Sequence, residues 1–152
     1  HRWIRTDADE SRAQLDVVVA HSTGHRARKR TTAAGGRPLE SFGIQQALER
    51  SETVTVSLGG VLGQGNRPVL LGGLVGKAAA LRNAGDNPAR HLEDLLTLAA
   101  LLTARDFQTA MNKRDREHLT YAIEQLNRQG LLAGASVQQT RGIRLVEVLL
   151  NR

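Results

Sequence analysis

The chain has 152 residues, 40% of them hydrophobic, with a net charge of +6 and a pI near 10.9, which bounds it to one globular domain or one and a half small ones. Having no cysteine, it excludes a disulfide framework, a Cys-based zinc site and a thiol nucleophile, as expected of a cytoplasmic chain. No run of about eighteen apolar residues marks a membrane span, and the few aromatics (Trp3, Phe42, Phe107, Tyr121) exclude a base-stacking platform.

In chain order, Trp3–Arg5 and Leu15–Ala20 are predicted as two strands of a hairpin around the charged turn Asp7–Arg12, closing the end of a sheet. Arg26, Arg28, Lys29, Arg30 and Arg37 follow without an intervening acid, next to Gly35-Gly36 and Pro38. Two readings stay open for this strip: a solvated loop, or a surface that grips an RNA or nucleotide phosphate backbone. Ile44–Arg50 has the pattern of a short helix, and Val54–Leu58 alternates like a strand closed by Gly59-Gly60. The segment from Gly59 to Asn66 reads as turn-rich.

Pro68 is predicted to open an apolar helix running to about Asn83. Asp86 or Asn87 then caps a second helix, with Pro88 at its first position and an end near Leu102, so the two form a helical hairpin. Leucines 92, 95, 96 and 102 lie opposite leucines 98 and 101, which predicts burial of this helix between two layers. Asp106 and Asp115 are predicted to begin two further amphipathic helices; the second carries Leu119, Ala122, Ile123 and Leu126 and stops at Gly130. A last helix, Val137 to Leu150, carries Ile143, Val146 and Leu150 on one stripe. The fold class is therefore α+β: a partial sheet region over 1–60 and a helical bundle over 61–152.

Chemistry concentrates at two charges in apolar surroundings. Lys77 is the only charged side chain from Pro68 to Leu81, so it projects into a groove or toward a partner carboxylate; Asp94 shares a helical face with Leu98 and Leu101. Side by side they make a site hypothesis. The bland readings are a snorkelling lysine with an aspartate that favours the helix dipole, or a structural ion pair without a ligand. Gly72-Gly73-Leu74-Val75-Gly76-Lys77 is no phosphate-binding P-loop: Leu71 stands where the first glycine is needed, Ala78 follows the lysine, and the periodicity is that of a helix interior. Its glycines suit close helix packing. The five histidines show no metal-ligand spacing, and Ser22 and Ser41 have no base and acid nearby in sequence.

Lys77-x-x-Ala80 with Arg82 beyond it, then Arg90-His91-x-x-Asp94-Leu95 opening a leucine-rich helix, resembles the C-terminal half of the AbiEii-type nucleotidyltransferase-like proteins, a family that includes toxins of bacterial toxin–antitoxin and phage-defence systems. The resemblance implies a partial nucleotidyltransferase-like sheet followed by a helical bundle, and transfer of a nucleotide from a nucleoside triphosphate to an acceptor such as RNA. It also implies Mg²⁺, with an antitoxin protein as a possible partner. Lys77 would contact the triphosphate, Asp94 would orient Lys77 or the acceptor, and Arg82 and Arg90 would offset phosphate charge. Asp16, on the apolar run Gln14–Val19, resembles the family's third metal-facing carboxylate; the alternative is a strand-edge aspartate. The family's Gly-Ser turn with its Asp-x-Asp pair has no counterpart, since Asp7-Ala8-Asp9 follows Arg5-Thr6 rather than a glycine turn. With His1 in place of an initiator Met, and a strand apparently entered in mid-fold, the expectation is a fragment whose N-terminal part is missing. The alternative from another class is a non-catalytic module that binds nucleic acid or protein.

Overall fold

A computed structural model describes residues 2–6, 12–16, 18–20, 31, 35, 39–41, 43–82, 87–108 and 110–151. The architecture is α+β, with strands confined to the N-terminal part and helices filling the C-terminal part. Among the described residues the strands form three separate two-stranded ladders. Strand β1, Arg2–Thr6, pairs antiparallel with β2, Arg12–Asp16, with Arg2 opposite Asp16 and Thr6 opposite Arg12. Strand β3, Val18–Ala20, pairs in parallel with β4, Leu39–Ser41. The predicted strand Leu15–Ala20 is thereby divided. The register spends β1 by the time Asp16 is reached, so Val18–Ala20 take a partner from further along the chain, as parallel pairing with its long connection requires. Arg12, expected in the turn, is a strand residue; the rest of that turn lies outside the described residues.

After the short helix α1, Ile44–Glu49, comes a regular hairpin of β5, Ser51–Leu58, and β6, Val61–Pro68. Gly59 and Gly60 both have positive φ, 57° and 82°, the requirement of the tight turn whose twist matches the flanking strands. This corrects the turn-rich reading of Gly59–Asn66, because only the two glycines turn. Gly63, Gly65 and Asn66 look like loop residues in sequence but sit opposite Val56, Val54 and Thr53. Cross-strand bonds hold them there: Thr53 Oγ1 donates to Asn66 Oδ1 at 2.9 Å, and Arg67 Nε donates to Glu52 Oε1 at 2.9 Å. The expected boundary at 60/61 falls at the tip of this hairpin, between two strands paired with each other.

Pro68 ends β6 rather than opening the next helix, a strand-end position that a residue without N–H tolerates. Val69 donates its N–H to the carbonyl of Arg50 at 2.7 Å, and α2 then runs from Leu70 to Ala80, short of the predicted Asn83. Helix α3, Pro88–Leu101, begins as its sequence predicts: Asn87 Oδ1 accepts from the N–H groups of Ala89 and Arg90 at 3.1 and 3.5 Å, with Pro88 in the first turn. The helix predicted from Asp106 is a single 3₁₀ turn, Ala104–Phe107. Asp106 does not begin it; its Oδ2 accepts from the backbone and hydroxyl of Thr103, both at 2.7 Å, closing a capping box. Helix α4, Lys113–Arg128, is started by Asn112, with Asp115 two residues inside its first turn. A 3₁₀ turn, Leu131–Gly134, leads to α5, Val137–Leu150, capped by Ser136 and Gln139.

The core lies between α2, α3, α4 and α5 and is built from Leu71, Leu74, Val75, Leu92, Leu95, Leu119, Leu126 and Val146, all essentially inaccessible. Among the described residues, at about 1.5–3 kcal/mol for each fully buried side chain of this size, the bundle supplies most of the stabilising burial. Helix α3 lies between α2 and α5, as its leucines on two sides predict. Leu101 departs from that expectation, being 63% exposed, while Leu98 is half-buried. Where α3 meets α5, a Cβ on Gly142 would stand 1.8 Å from the carbonyl oxygen of Ala99, so the two backbones touch. Gly72 and Gly76 likewise admit α1 and the residues around it. Gly73 does not serve packing, because a Cβ there would make only ordinary contact with Leu98. Among the described residues no helix is long and apolar enough to cross a membrane.

One contact ties the start of the hairpin to the bundle. Arg50, just after α1, donates Nη2 to Asp115 Oδ2 and to the carbonyl of Ala110, and the two charged side chains are 8% and 0% exposed. Asp115 Oδ2 also accepts the N–H of Asn112 at 3.0 Å, while Asn112 Oδ1 accepts the N–H of Asp115 at 2.9 Å. Sequence reasoning places Asp115 at a helix start but gives no hint of the arginine.

Candidate functional site

Lys77 stands in the last turn of α2 and Asp94 in the second turn of α3. Across the helical hairpin, Lys77 Nζ donates to Asp94 Oδ2 at 2.5 Å. The two side chains are 37% and 36% exposed, so the pair is reached by solvent rather than sealed in the core. On α2, Leu70, Gly73 and Lys77 recur at i, i+3 and i+7 and share one face. The opposite face, with Leu71, Leu74, Val75 and Ala78, is buried.

That outer face of α2 forms the floor of a groove of about 750 Å³, within the size range of small-molecule sites. Glu52 and Arg67 from the base of the β5–β6 hairpin form one wall, and Leu98 and Leu101 of α3 form another. Arg105 and Asp106 from the 3₁₀ turn stand at its rim, and Lys77 closes it beside Asp94. The exposed Leu101 is thus accounted for as groove wall. Three cations, Lys77, Arg67 and Arg105, face this space. Two of these cations are themselves paired, Arg67 with Glu52 and Lys77 with Asp94, and the second lining carboxylate, Asp106, accepts from Thr103. The amino end of α2 also opens here: Val69 and Leu70 line the groove, no side chain caps the helix, and its first turn holds no acid. The positive end of the helix dipole therefore adds to the cationic character. The arrangement suits an anion that also carries an apolar or planar portion.

The structure brings together Lys77 and Asp94, and places Arg82 and Arg90 elsewhere. Arg82 lies over the ring of Tyr121, 5.0 Å from its centroid, on the α4 side of the bundle, where it borders a smaller cavity with Lys113 and Arg116. Arg90 is exposed on the first turn of α3 and does not line the groove. Arg67 and Arg105 line the groove instead. Arg67 escaped notice because its strand looked like a turn; once Gly59-Gly60 is read as the turn, counting outward pairs Glu52 with Arg67. Arg105 follows from the Thr103-x-x-Asp106 capping signal, which puts it on an exposed short turn.

Asp16 is the last residue of β2, opposite Arg2, and its side chain lies outside the described residues. So do Arg26, Arg28, Lys29, Arg30 and Arg37. Among the described residues no three His, Asp or Glu side chains converge on one point. No step below is routed through a metal. His118 of α4 is buried, and its pKa is lowered by burial first and then by the Arg82 and Arg114 cations, against smaller opposing effects of Asp115 and Glu117.

Compared with known proteins, the chain matches no protein-family model, no curated protein and no solved structure.

Proposed function

We propose that the chain is part of a nucleotidyltransferase-like protein that transfers a nucleotide from a nucleoside triphosphate to an acceptor such as RNA, with the groove beside Lys77 and Asp94 as its triphosphate side. The observation that supports this reading is the solvent-reached Lys77–Asp94 pair at the end of a groove whose other charged walls supply Arg67 and Arg105. A lysine held at 2.5 Å by a carboxylate keeps its ammonium in one place, and a positioned ammonium neutralises phosphate charge without further ordering cost. In such a transfer the acceptor oxygen bonds to the α-phosphorus as the bond to the bridging oxygen breaks and pyrophosphate leaves. Lys77 and Arg105 would offset charge on that leaving group, and Asp94 would keep Lys77 in register. The apolar wall of Leu98 and Leu101 would face the base or ribose.

Equilibrium binding of ATP, GTP, CTP and UTP to this chain tests the reading. At least one should bind, and Lys77→Ala should weaken it by roughly 10-fold or more, as loss of a charge-assisted hydrogen bond does. Arg105→Ala should weaken it less. No binding by any of the four would sink the proposal. RNA binding that falls steeply with salt and ignores Lys77→Ala would instead favour the non-catalytic module. Because the sequence has no Gly-Ser turn with an Asp-x-Asp pair, this chain alone should bind without turning over, and incorporation of labelled nucleotide by it would overturn that expectation.

A further inference from the structure

Helix α5 buries one face in the bundle and leaves uncovered the other, which combines two valines and a leucine with two arginines. Gly142, Ile143 and Val146 are buried against the other helices. At 100° per residue, Val137, Arg141, Arg144 and Val148 fall on the opposite side, with Thr140 and Leu145 flanking them. Together with Ala135, these residues line a second cavity of about 520 Å³, a shallow trough along the helix with a mostly apolar lining. Val137 is 82% exposed and Val148 53%. The steps 137, 141, 144 and 148 are four, three and four residues, so the four form one seam along the helix, with valines at its ends and arginines between them.

We propose that this face of α5 is a docking surface for an acidic amphipathic helix of a partner protein, about three turns long, its apolar side on Val137, Leu145 and Val148 and its carboxylates on Arg141 and Arg144. The charge pattern selects this occupant. The trough holds two arginines and no acid; Glu147, the one acid of α5, lies about 100° away from the seam. A second copy of the chain fits poorly. Antiparallel two-fold pairing centred on the stripe would set Arg141 against Arg144 of the copy, and parallel pairing would set each arginine against itself, a like-charge juxtaposition that disfavours the complex. A nucleic-acid backbone also fits poorly, because most of the surface offered is apolar. The length follows from the distance between Val137 and Val148, about 16 Å at 1.5 Å per residue.

A fluorescent two-heptad peptide with leucines at the a and d positions and glutamates at e and g is the probe, with a twin carrying lysines in place of the glutamates as its control. The acidic peptide should bind about 10-fold tighter than the twin at low ionic strength and converge toward it as salt rises. In the double variant Arg141→Glu/Arg144→Glu the preference should invert, and Leu145→Asp should abolish binding of both peptides. Arg141 and Arg144 are exposed and Leu145 is half-buried outside the core cluster, so circular dichroism and melting should confirm intact folding in each variant. Equal binding of the two peptides, or binding of neither, would overturn the proposal. So would concentration-dependent dimerisation of the free chain that Leu145→Asp dissolves, which would give the face to a second copy.

Discussion

Two ion pairs of the same chemistry hold two regions of this protein in different ways. Arg50–Asp115 is closed off where the hairpin meets α4, and among the described residues Arg50 Nε and Nη1 and Asp115 Oδ1 are buried without partners. Lys77–Asp94 is open to solvent at the end of a groove. A charge pair in a sealed place is out of reach of anything that arrives, and removing one member strands the other. A pair in a wet place contributes little to folding, and its charges remain available to something that arrives. Exposure, rather than the presence of a salt bridge, separates the candidate site from the scaffold.

The largest effect should come from Asp115→Ala, which leaves Arg50 buried without its carboxylate and removes half of a capping box. A loss of about 3–5 kcal/mol is expected in urea unfolding, and a loss below about 1 kcal/mol would erase the distinction drawn between the two regions. Next comes Gly142→Ala on the closed side. The new methyl meets the Ala99 carbonyl, so α3 and α5 must part, and a destabilisation of about 1–3 kcal/mol should follow by the same measurement. On the open side, Lys77→Met and Asp94→Asn should each move stability by no more than about 1 kcal/mol, since both partners are over a third exposed and screened. Their effect belongs in ligand binding instead.

The smallest effect expected is a slope. His118 has a lowered pKa in the folded protein, so below about 6.5 the unfolded chain takes up a proton that the folded chain resists. The unfolded state then holds more protons, and stability falls as pH drops from about 6.5 toward the folded pKa, with no contribution from this group above that window. Unfolding followed from pH 7.5 to 5 should show the decline, and His118→Asn should flatten it.

The four long helices were legible mainly from apolar residues at helical spacing, and the start of α3 also from Asn87-Pro88; the start of α2, expected at Pro68, was misplaced because no side chain caps it, and that of α4, expected at Asp115, lies at Asn112. The Lys77–Asp94 pair was legible because Lys77 is the one charge of α2 and Asp94 lies on the Leu98–Leu101 face of the adjacent helix. Strand β6 was hidden by its own composition, two glycines, an asparagine and a proline held in place by pairing with β5 rather than by propensity. With it went Arg67, and with Arg67 one wall of the groove. Arg50 could not be matched to Asp115 from sequence at all, because nothing local links residues that far apart.

That separation has a kinetic side. Arg50 and Asp115 are 65 residues apart in sequence and Lys77 and Asp94 only 17, so bringing the first pair together costs about 1 kcal/mol more in chain entropy. The α2–α3 hairpin can therefore assemble early around short-range contacts, leaving the Arg50 contact to form late. A late contact acts as a latch: weakening it hastens escape from the native state far more than it slows arrival there. The lifetime of the folded chain is then governed from a point remote from the groove it presents.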